Sequence, residues 1–510
     1  MNKYLQILFF LILTQSGYSQ FFPKEKAEVN YRLVGFEVPI KVNIAKYTLE
    51  IADDIITDEE IFSKNIRLVN SSDKNKQAIL LPRFNCHYTW RVIYYDGQNN
   101  ITWKSDLHHF RTGTSPAINT AVYGLRIEKQ VAEEHNDMLL LCDYVLAIYQ
   151  MDGSPVWYPG GEVGKLAKPD VKLRDFKPTH AGTFTALLDT IACEFDYDGN
   201  ILWKSPAEIN KNGAGYYHHE LTRLDNGHYM VAGSERIFRK IPGKPDAFFN
   251  PGDSSVIKTE DGRYYKGIIS GTIIEYDAAG KIVWMWRASD HFTDKEYFRL
   301  KKDLLVPFNG CAYLNGFEFD ERNKVLYVSF RDINRIVKVD YLSGAILDMY
   351  GEVVNNDLSI TMQSPFYNQH CIRIDKYTNH LYLFNNNVCN TVGINSGSVS
   401  HITLFGQGKR GLEPLWDYAC DTVSPERPLS SRLGSVALLK DECILVNMGI
   451  ASRMFIVDTN KRILWNAIPY VKNGVENLMT PYRINHIPID DIGRFVFHKS
   501  EKRQKSSIRP

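Results

Sequence analysis

Several chemistries are missing from this chain. No glycine-rich phosphate loop opens a helix anywhere in its 510 residues, which argues against a bound nucleotide. Its eight cysteines (Cys86, Cys142, Cys193, Cys311, Cys371, Cys389, Cys420 and Cys443) include no C-x-x-C pair, which argues against a structural zinc site. No His/Asp/Glu cluster has metal-ligand spacing either, so the reading carries no metal and no cofactor. Charge of one sign is not in excess: 60 Lys and Arg face 59 Asp and Glu. That balance gives no long-range pull toward nucleic acid or an anionic membrane. Long apolar runs are absent too. Leu5 to Leu13 is too short to span a bilayer as a helix, and no later run of that length is apolar.

What that first run does fit is an export signal. Lys3 precedes it, and Gly17, Ser19 and Gln20 follow it, as an n-region, an h-region and small residues at a cleavage position. We read residues 1–19 as a signal peptide cut after Ser19, with an uncleaved anchor as the alternative. No cysteine follows the small residues, so no lipid anchor is expected. An oxidising compartment permits disulfides without fixing any pairing, and most of the cysteines read as small buried apolar residues.

Aromatics make up 12% of the chain, with 29 Tyr and 8 Trp, which suits an all-β protein. Residues 27–113 form a first unit in which Val29–Val34 and Lys46–Ile51 alternate. Its closing pattern is Tyr88-x-Trp90-x-Val92, a turn at Asp96-Gly97, then Trp103-x-Ser105 and Phe110. That pattern resembles the last strands of fibronectin type III-like sandwiches, which implies a small fibronectin III/Ig-like β-sandwich with His108 and His109 on its surface. Gly113-Thr-Ser-Pro116 reads as a linker.

Beyond the linker a turn motif recurs: Asp152 to Trp157, Asp198 to Trp203, Asp277 to Trp284, Asp340 to Leu347 and Asp458 to Trp465. A degenerate copy, Leu404 to Trp416, fills the widest gap. Six units of about 45 to 80 residues indicate blades or an array. Strand-rich units with an aromatic per hairpin predict a six-bladed β-propeller over residues 120–490, with further sandwiches as the alternative. The longest step carries an insertion, roughly Arg236 to Gly267, that reads as a long loop, either a lid or surface ornament.

Polar residues recur at one point of this pattern. His370 lies five residues before the turn acid Asp375, and Asn315 five before Asp320. Tyr313 and His218 lie seven before Asp320 and Asp225. Side chains two apart share a strand face, so these four should point together into a central channel, with His219 alternating away. Arg331 leaves the strand Leu326–Phe330 beside them, which makes an anion site. A lone histidine in such a place is by default a satisfied structural residue, and Arg331 taken singly could pair with Asp332. Units converging on His, His, Asn and Arg argue for a site, because buried charge needs a partner.

With these residues in view, residues 120–490 resemble the bacterial aryl-sulfate sulfotransferases, exported enzymes that do not use the nucleotide donor PAPS. The resemblance rests on Tyr217-His218-His219-Glu220, Leu314-Asn315 with Arg331 sixteen residues on, and Gln369-His370. Gly434-Ser435 and Tyr482-Arg483 look like the family's later blades. It implies a periplasmic enzyme that moves a sulfuryl group from an aryl sulfate to a phenol in two steps. His370 would be the nucleophile, with Arg331 and His218 catalytic, and Asn315, His219, Tyr313, Ser435 and Arg483 binding substrate. His218 or His219 would also protonate the departing oxygen. One position departs from the family, which usually has a histidine where this chain has Tyr313. The alternative is an impaired propeller that binds a phenolic, sulfated or glycan ligand or a protein partner. The oligomeric state stays open, a homodimer included.

The signal reading generates a first prediction: the mature protein begins near Gln20 and lies outside the cytoplasm. N-terminal sequencing that recovers Met1 from mature protein would overturn it.

Overall fold

The structure, a computed structural model, describes residues 21–114, 122–130, 136–168, 171–189, 191–206, 217–300, 312–362, 364–388, 397–408 and 411–498. The signal-like segment and part of the Gly113–Pro116 linker lie outside them. So do Cys311 and Cys389. The other six cysteines are free, five of them buried. The described residues are built mainly of strands, and the chain divides into two compact units at Gly113.

In the first unit Lys46–Asp53 pairs antiparallel with Cys86–Tyr95 and with Ile66–Ser72. Cys86–Tyr95 also pairs with His108–Thr112, which takes Ala27–Val29 as a parallel edge. Leu33–Glu37 pairs with Lys76–Leu80 in a separate two-stranded sheet. Trp90 is fully buried, edge-on to Phe36 at 5.0 Å. His108, expected at the surface, is half-buried: its ring lies 5.0 Å from Trp90, and burial lowers its pKa.

The second unit contains six antiparallel sheets of four or more strands among the described residues. Five follow in chain order, opening at Leu173–Pro178 (sheet II), Leu221–Arg223 (III), Leu314–Asp320 (IV), His370–Ile374 (V) and Ser435–Leu438 (VI). Sheet I is assembled from both ends of the unit. Ile484–Pro488 pairs with Met138–Cys142, which leads to Ala147–Gln150 and Pro155–Trp157. Each opening strand packs on the sheet before it in the series, and Ile484–Pro488 of sheet I packs on Ser435–Leu438 of sheet VI.

The recurrent motif has two physical jobs. Its acid closes the turn: Asp277 Oδ1 accepts from the Ala279 and Lys281 amides at 2.9 and 2.8 Å, and Asp458 Oδ1 from Arg462 at 2.7 Å. In sheet II the closing acid is Asp196, two residues before the expected Asp198. Its tryptophan ties one sheet to the next. Trp157 Nε1 donates to Tyr197 O at 2.7 Å, Trp284 to Tyr341 O at 3.0 Å, and Trp416 to Thr459 O at 2.8 Å. Trp465 of sheet VI donates to Met151 O of sheet I at 2.9 Å. Trp203 instead stacks on Tyr229 of sheet III at 3.8 Å.

The expected loop from Arg236 to Gly267 begins and ends as strand, with turns and a short 3-10 helix between. Tyr229–Lys240 and Tyr264–Tyr276 stay paired along their whole length, out to Lys240 and Tyr265. Val256–Lys258 adds a short third strand beside them. Alternation in Ile237, Arg239, Lys266 and Ile268 carries the ladder outward where Gly and Pro had suggested a loop.

The fully buried Trp465 should be worth more than the partly exposed Trp416. Trp465→Phe leaves the Met151 carbonyl unpaired and a cavity beside it, costing about 2–4 kcal/mol. Trp416→Phe should cost under about 1 kcal/mol. Calorimetric melting of both variants checks the difference, and equal losses would contradict the inter-sheet role.

Candidate active site

The six opening strands start at the same end of the second unit, and a polar residue stands at or just before each start. These are Arg174 (II), His218 and His219 (III), Tyr313 and Asn315 (IV), His370 (V), Ser435 (VI) and Arg483 (I). Antiparallel pairing brings the ends of the second strands to the same mouth. Leu314 lies opposite Phe330, so Arg331 emerges beside Tyr313, its guanidinium 5.7 Å from the ring. His370 lies opposite Phe384, which brings Asn386 beside it.

Alternation does not carry the side chains to this mouth. The ladder slips at Asn315, and again between His370 and Arg373. His219 and Cys371 have φ of +66° and +49°. The expectation that His219 turns away therefore fails. Its ring lies 4.7 Å from His218 and 5.2 Å from Tyr313, and the two histidines share a 2.7 Å Nδ1···Nδ1 hydrogen bond. Gly434 (φ +113°) lets the chain pass Phe384 before Ser435, where a Cβ would meet the ring at 2.4 Å.

His370 is held from one side only. Its Nδ1 lies 2.6 Å from Asn386 Oδ1 and 3.1 Å from the Asn368 carbonyl. Asn386 cannot present its amide instead, because Nδ2 donates to the carbonyls of Ser430 and Leu433 at 2.7 and 2.9 Å. Two fixed acceptors require the proton on Nδ1, so the neutral ring carries its lone pair on Nε2. Nε2 makes no hydrogen bond among the described residues. The peptide before His370 is clamped from sheet IV: Asn315 Nδ2 donates to Gln369 O at 2.6 Å, and Gln369 Nε2 reaches Ser329 Oγ at 3.0 Å.

Burial pushes His370 down to about 3, and the nearby Arg331 charge acts in the same direction. Burial and Arg174 lower His218 to about 3, and burial with the neighbouring His218 lowers His219 well below the ordinary value. Burial and the neighbouring charges therefore disfavour an imidazolium at either histidine. His218 is also fully engaged, since its Nε2 meets Ser234 Oγ at 2.5 Å.

Beneath the histidines lies a buried ion network. Arg483 pairs with Asp175 at 2.8 Å and more closely with Glu220. Lys177 reaches Glu220 at 2.6 Å and Asp175 at 3.0 Å, and Arg373 reaches Glu220 at 3.5 Å. Burial alone would raise the Glu220 carboxyl, but Arg483, Lys177 and Arg373 hold it far below its ordinary value. Glu220 is thus the hub of this network rather than a cap on backbone. Asp143 accepts from the Arg483, Tyr482 and Asp175 amides, and burial lifts it to about 7.

Of the expected site residues, His370, His218, His219, Tyr313 and Arg331 gather at the mouth. Arg331 Nε donates to Asp332 at 2.7 Å, the pairing considered for it singly. Asn315 is spent on the Gln369 carbonyl, Ser435 Oγ accepts from the Ile484 amide at 3.3 Å, and Arg483 is committed to two carboxylates. Two residues at the mouth escaped sequence reading. Asn386 follows its second strand as Arg331 follows the equivalent one, a parallel legible in the repeat. Arg174 opens the sheet II strand, its guanidinium 5.9 Å from the Tyr482 ring.

With this geometry in hand, residues 252–398 match the family model Arylsulfotransferase (ASST). The match supports the arylsulfotransferase family. It spans Tyr313, Asn315, Arg331, His370 and Asn386, and supports aryl sulfotransferase activity in general. No curated protein matches the chain. Among solved structures, a Bacteroides caccae protein of unknown function is 9% identical, with 72% of this chain and 98% of that one covered and a TM-score of 0.39. A streptogramin B lyase is 11% identical, with coverages of 67% and 87% and a TM-score of 0.35. Apo AztD from Citrobacter koseri is 12% identical, with coverages of 87% and 98% and a TM-score of 0.28.

The neutral histidines set an acid limit on stability. Unfolded, each takes a proton below about pH 6.5; folded, His370 and His218 do so only near 3. The unfolded chain therefore binds more protons between these values. Stability is full above the window and falls as pH drops through it, by up to about 1.4 kcal/mol per pH unit for each histidine. His370→Asn removes one share. Denaturant titrations at pH 7 and pH 5 should show wild type losing about 2 kcal/mol more than the variant, and identical losses would mean His370 is not held neutral by the fold.

Proposed function

We propose that the second unit is a six-bladed β-propeller whose mouth transfers a sulfuryl group between phenols through a sulfohistidine on His370. We further read the first unit as a fibronectin III/Ig-like sandwich, and the protein as exported to the periplasm. The observation that carries the transfer is the fixed tautomer of His370. A lone pair on an unbonded Nε2, beside the Arg331 charge, is what attack on an ester sulfur needs.

In the first step Nε2 bonds to the sulfur of the aryl sulfate and the sulfur–aryl oxygen bond breaks. The phenolate leaves with the electron pair and takes a proton from solvent. In the second step an acceptor phenol attacks the same sulfur, releases its proton and frees the ring. Arg331 and the Tyr313 hydroxyl stand where charge shifts between sulfuryl and aryl oxygens. Asn386 is a positioning residue, because it holds the Nδ1–H tautomer and keeps Nε2 in its orientation. With no nucleotide loop, the donor is an aryl sulfate and not PAPS.

Tyr313 favours a second reading, a site that binds without transfer, because a phenol cannot supply the positive charge of a histidinium. Single-turnover release of 4-nitrophenol from 4-nitrophenyl sulfate separates the two. Wild type should show a burst with one sulfuryl mass added to the His370 peptide, and His370→Ala none. Asn386→Ala should lower kcat by about 10²-fold with KM little changed, by analogy with misplaced catalytic groups. Asn386→Asp should recover part of the rate. A burst surviving in His370→Ala would place the nucleophile elsewhere.

A further inference from the structure

The mouth holds a second cation that the transfer step leaves unused. Arg174 is half-buried and has neither ion pair nor hydrogen bond among the described residues; its contact is the face of Tyr482, at 5.9 Å. Around it the other cations are spoken for. Arg331 has Asp332, and Arg483, Lys177 and Arg373 share Asp175, Glu220 and Glu318. The Tyr482 hydroxyl is buried and also lacks a hydrogen-bond partner, as does Arg483 Nη2. A buried phenol donor without an acceptor, beside a guanidinium without an acid, makes a pair of donors for one anion.

The two cations at the mouth differ in place. Arg331 acts on His370, and Arg174 acts on His218 and His219. Tyr313 lies between, within the field of both. The His219 ring, 5.5 Å from Tyr482, joins Tyr313 to give the space an aromatic wall. A ligand with its sulfuryl group at His370 and Arg331 would lay its ring along this wall and its far end toward Arg174.

We propose that Arg174 and the Tyr482 hydroxyl form a second anion-binding subsite, and that the site takes aryl sulfates whose ring carries another negative group, such as a carboxylate. This selectivity rests on the reading of the mouth as an aryl sulfate site. The second group is recognised as a charge by the guanidinium and as an acceptor by the phenol, so a ring carboxylate fits both donors. A nitro group, polar but uncharged, satisfies only the phenol.

The test compares 4-sulfooxybenzoate with 4-nitrophenyl sulfate. Binding is measured by calorimetry in the His370→Asn chain, and turnover in the chain that keeps His370. Without other substitutions, the carboxylated ester should bind tenfold to a hundredfold more tightly than the nitro ester, the span of a charge-assisted hydrogen bond. Arg174→Gln should bring that ratio close to one, Arg174→Lys should keep part of it, and Tyr482→Phe should lower it while preserving the ring. A ratio near one before any change at Arg174, or a ratio untouched by Arg174→Gln, overturns the subsite. If the ratio responds as expected but no phenol is released, the subsite stands and the transfer reading falls. If phenol is released from both esters and the ratio ignores Arg174, transfer stands and the subsite falls.

Discussion

Glu220 is the group on which the rest of the site depends. It is 1% exposed, and a carboxylate cannot stay ionised at that depth without partners. Those partners come from three other sheets: Arg483 from I, Lys177 from II and Arg373 from V. Arg373 carries the network to sheet IV through Glu318. Moving any one opening strand would strand a buried charge, and losing a partner from such a group costs about 3–5 kcal/mol. The network therefore sets the relative placement of five sheets more strictly than apolar packing alone, which tolerates small shifts.

Geometry above that floor follows from it. Glu220 follows directly on His218 and His219, and Arg373 comes three residues after His370. The residues that hold the floor together are thus tethered to those at the mouth by one or two turns of bulged strand. The bulges lift the histidines off the regular ladder and keep the ion pairs within it. Pairing stability and an imidazole turned out of the ladder place opposite demands on one short segment, and the slip between His370 and Arg373 separates them.

Much of this was legible in the residues. The recurring acid, turn and tryptophan mark the sheets because each has a local job that repeats: a carboxylate closing a turn and an indole reaching the next backbone. His370, His218, Tyr313 and Arg331 were legible because equal distance from a turn means equal height on a strand. What alternation could not give was direction. His219 and Asn315 sit at irregular backbone, where the two-residue rule no longer holds, and so one was expected outside the cluster and the other free within it. Arg174 was missed because it stands in no motif, and Asn386 because its place after the second strand was not matched to that of Arg331. Their importance lies in what they face across sheets, about which spacing along one strand is silent. The hairpin of Tyr229–Lys240 and Tyr264–Tyr276 was hidden by the glycines and prolines at its tip, which mark the turn and not the ladder leading to it.

The pairing of Ile484–Pro488 with Met138–Cys142 has a kinetic meaning. Sheet I brings together segments separated by more than three hundred residues, and closing a loop of that length is slow in any chain. Until residues 482–488 arrive, Met138–Cys142 has one open edge, Asp143 lacks two of the three amides it accepts from, and Glu220 lacks Arg483. A nascent chain is thus barred from completing either sheet I or its ion network before nearly all of the second unit has been made. Such a polypeptide stays pliable until its last strands are made, and becomes rigid only when they dock.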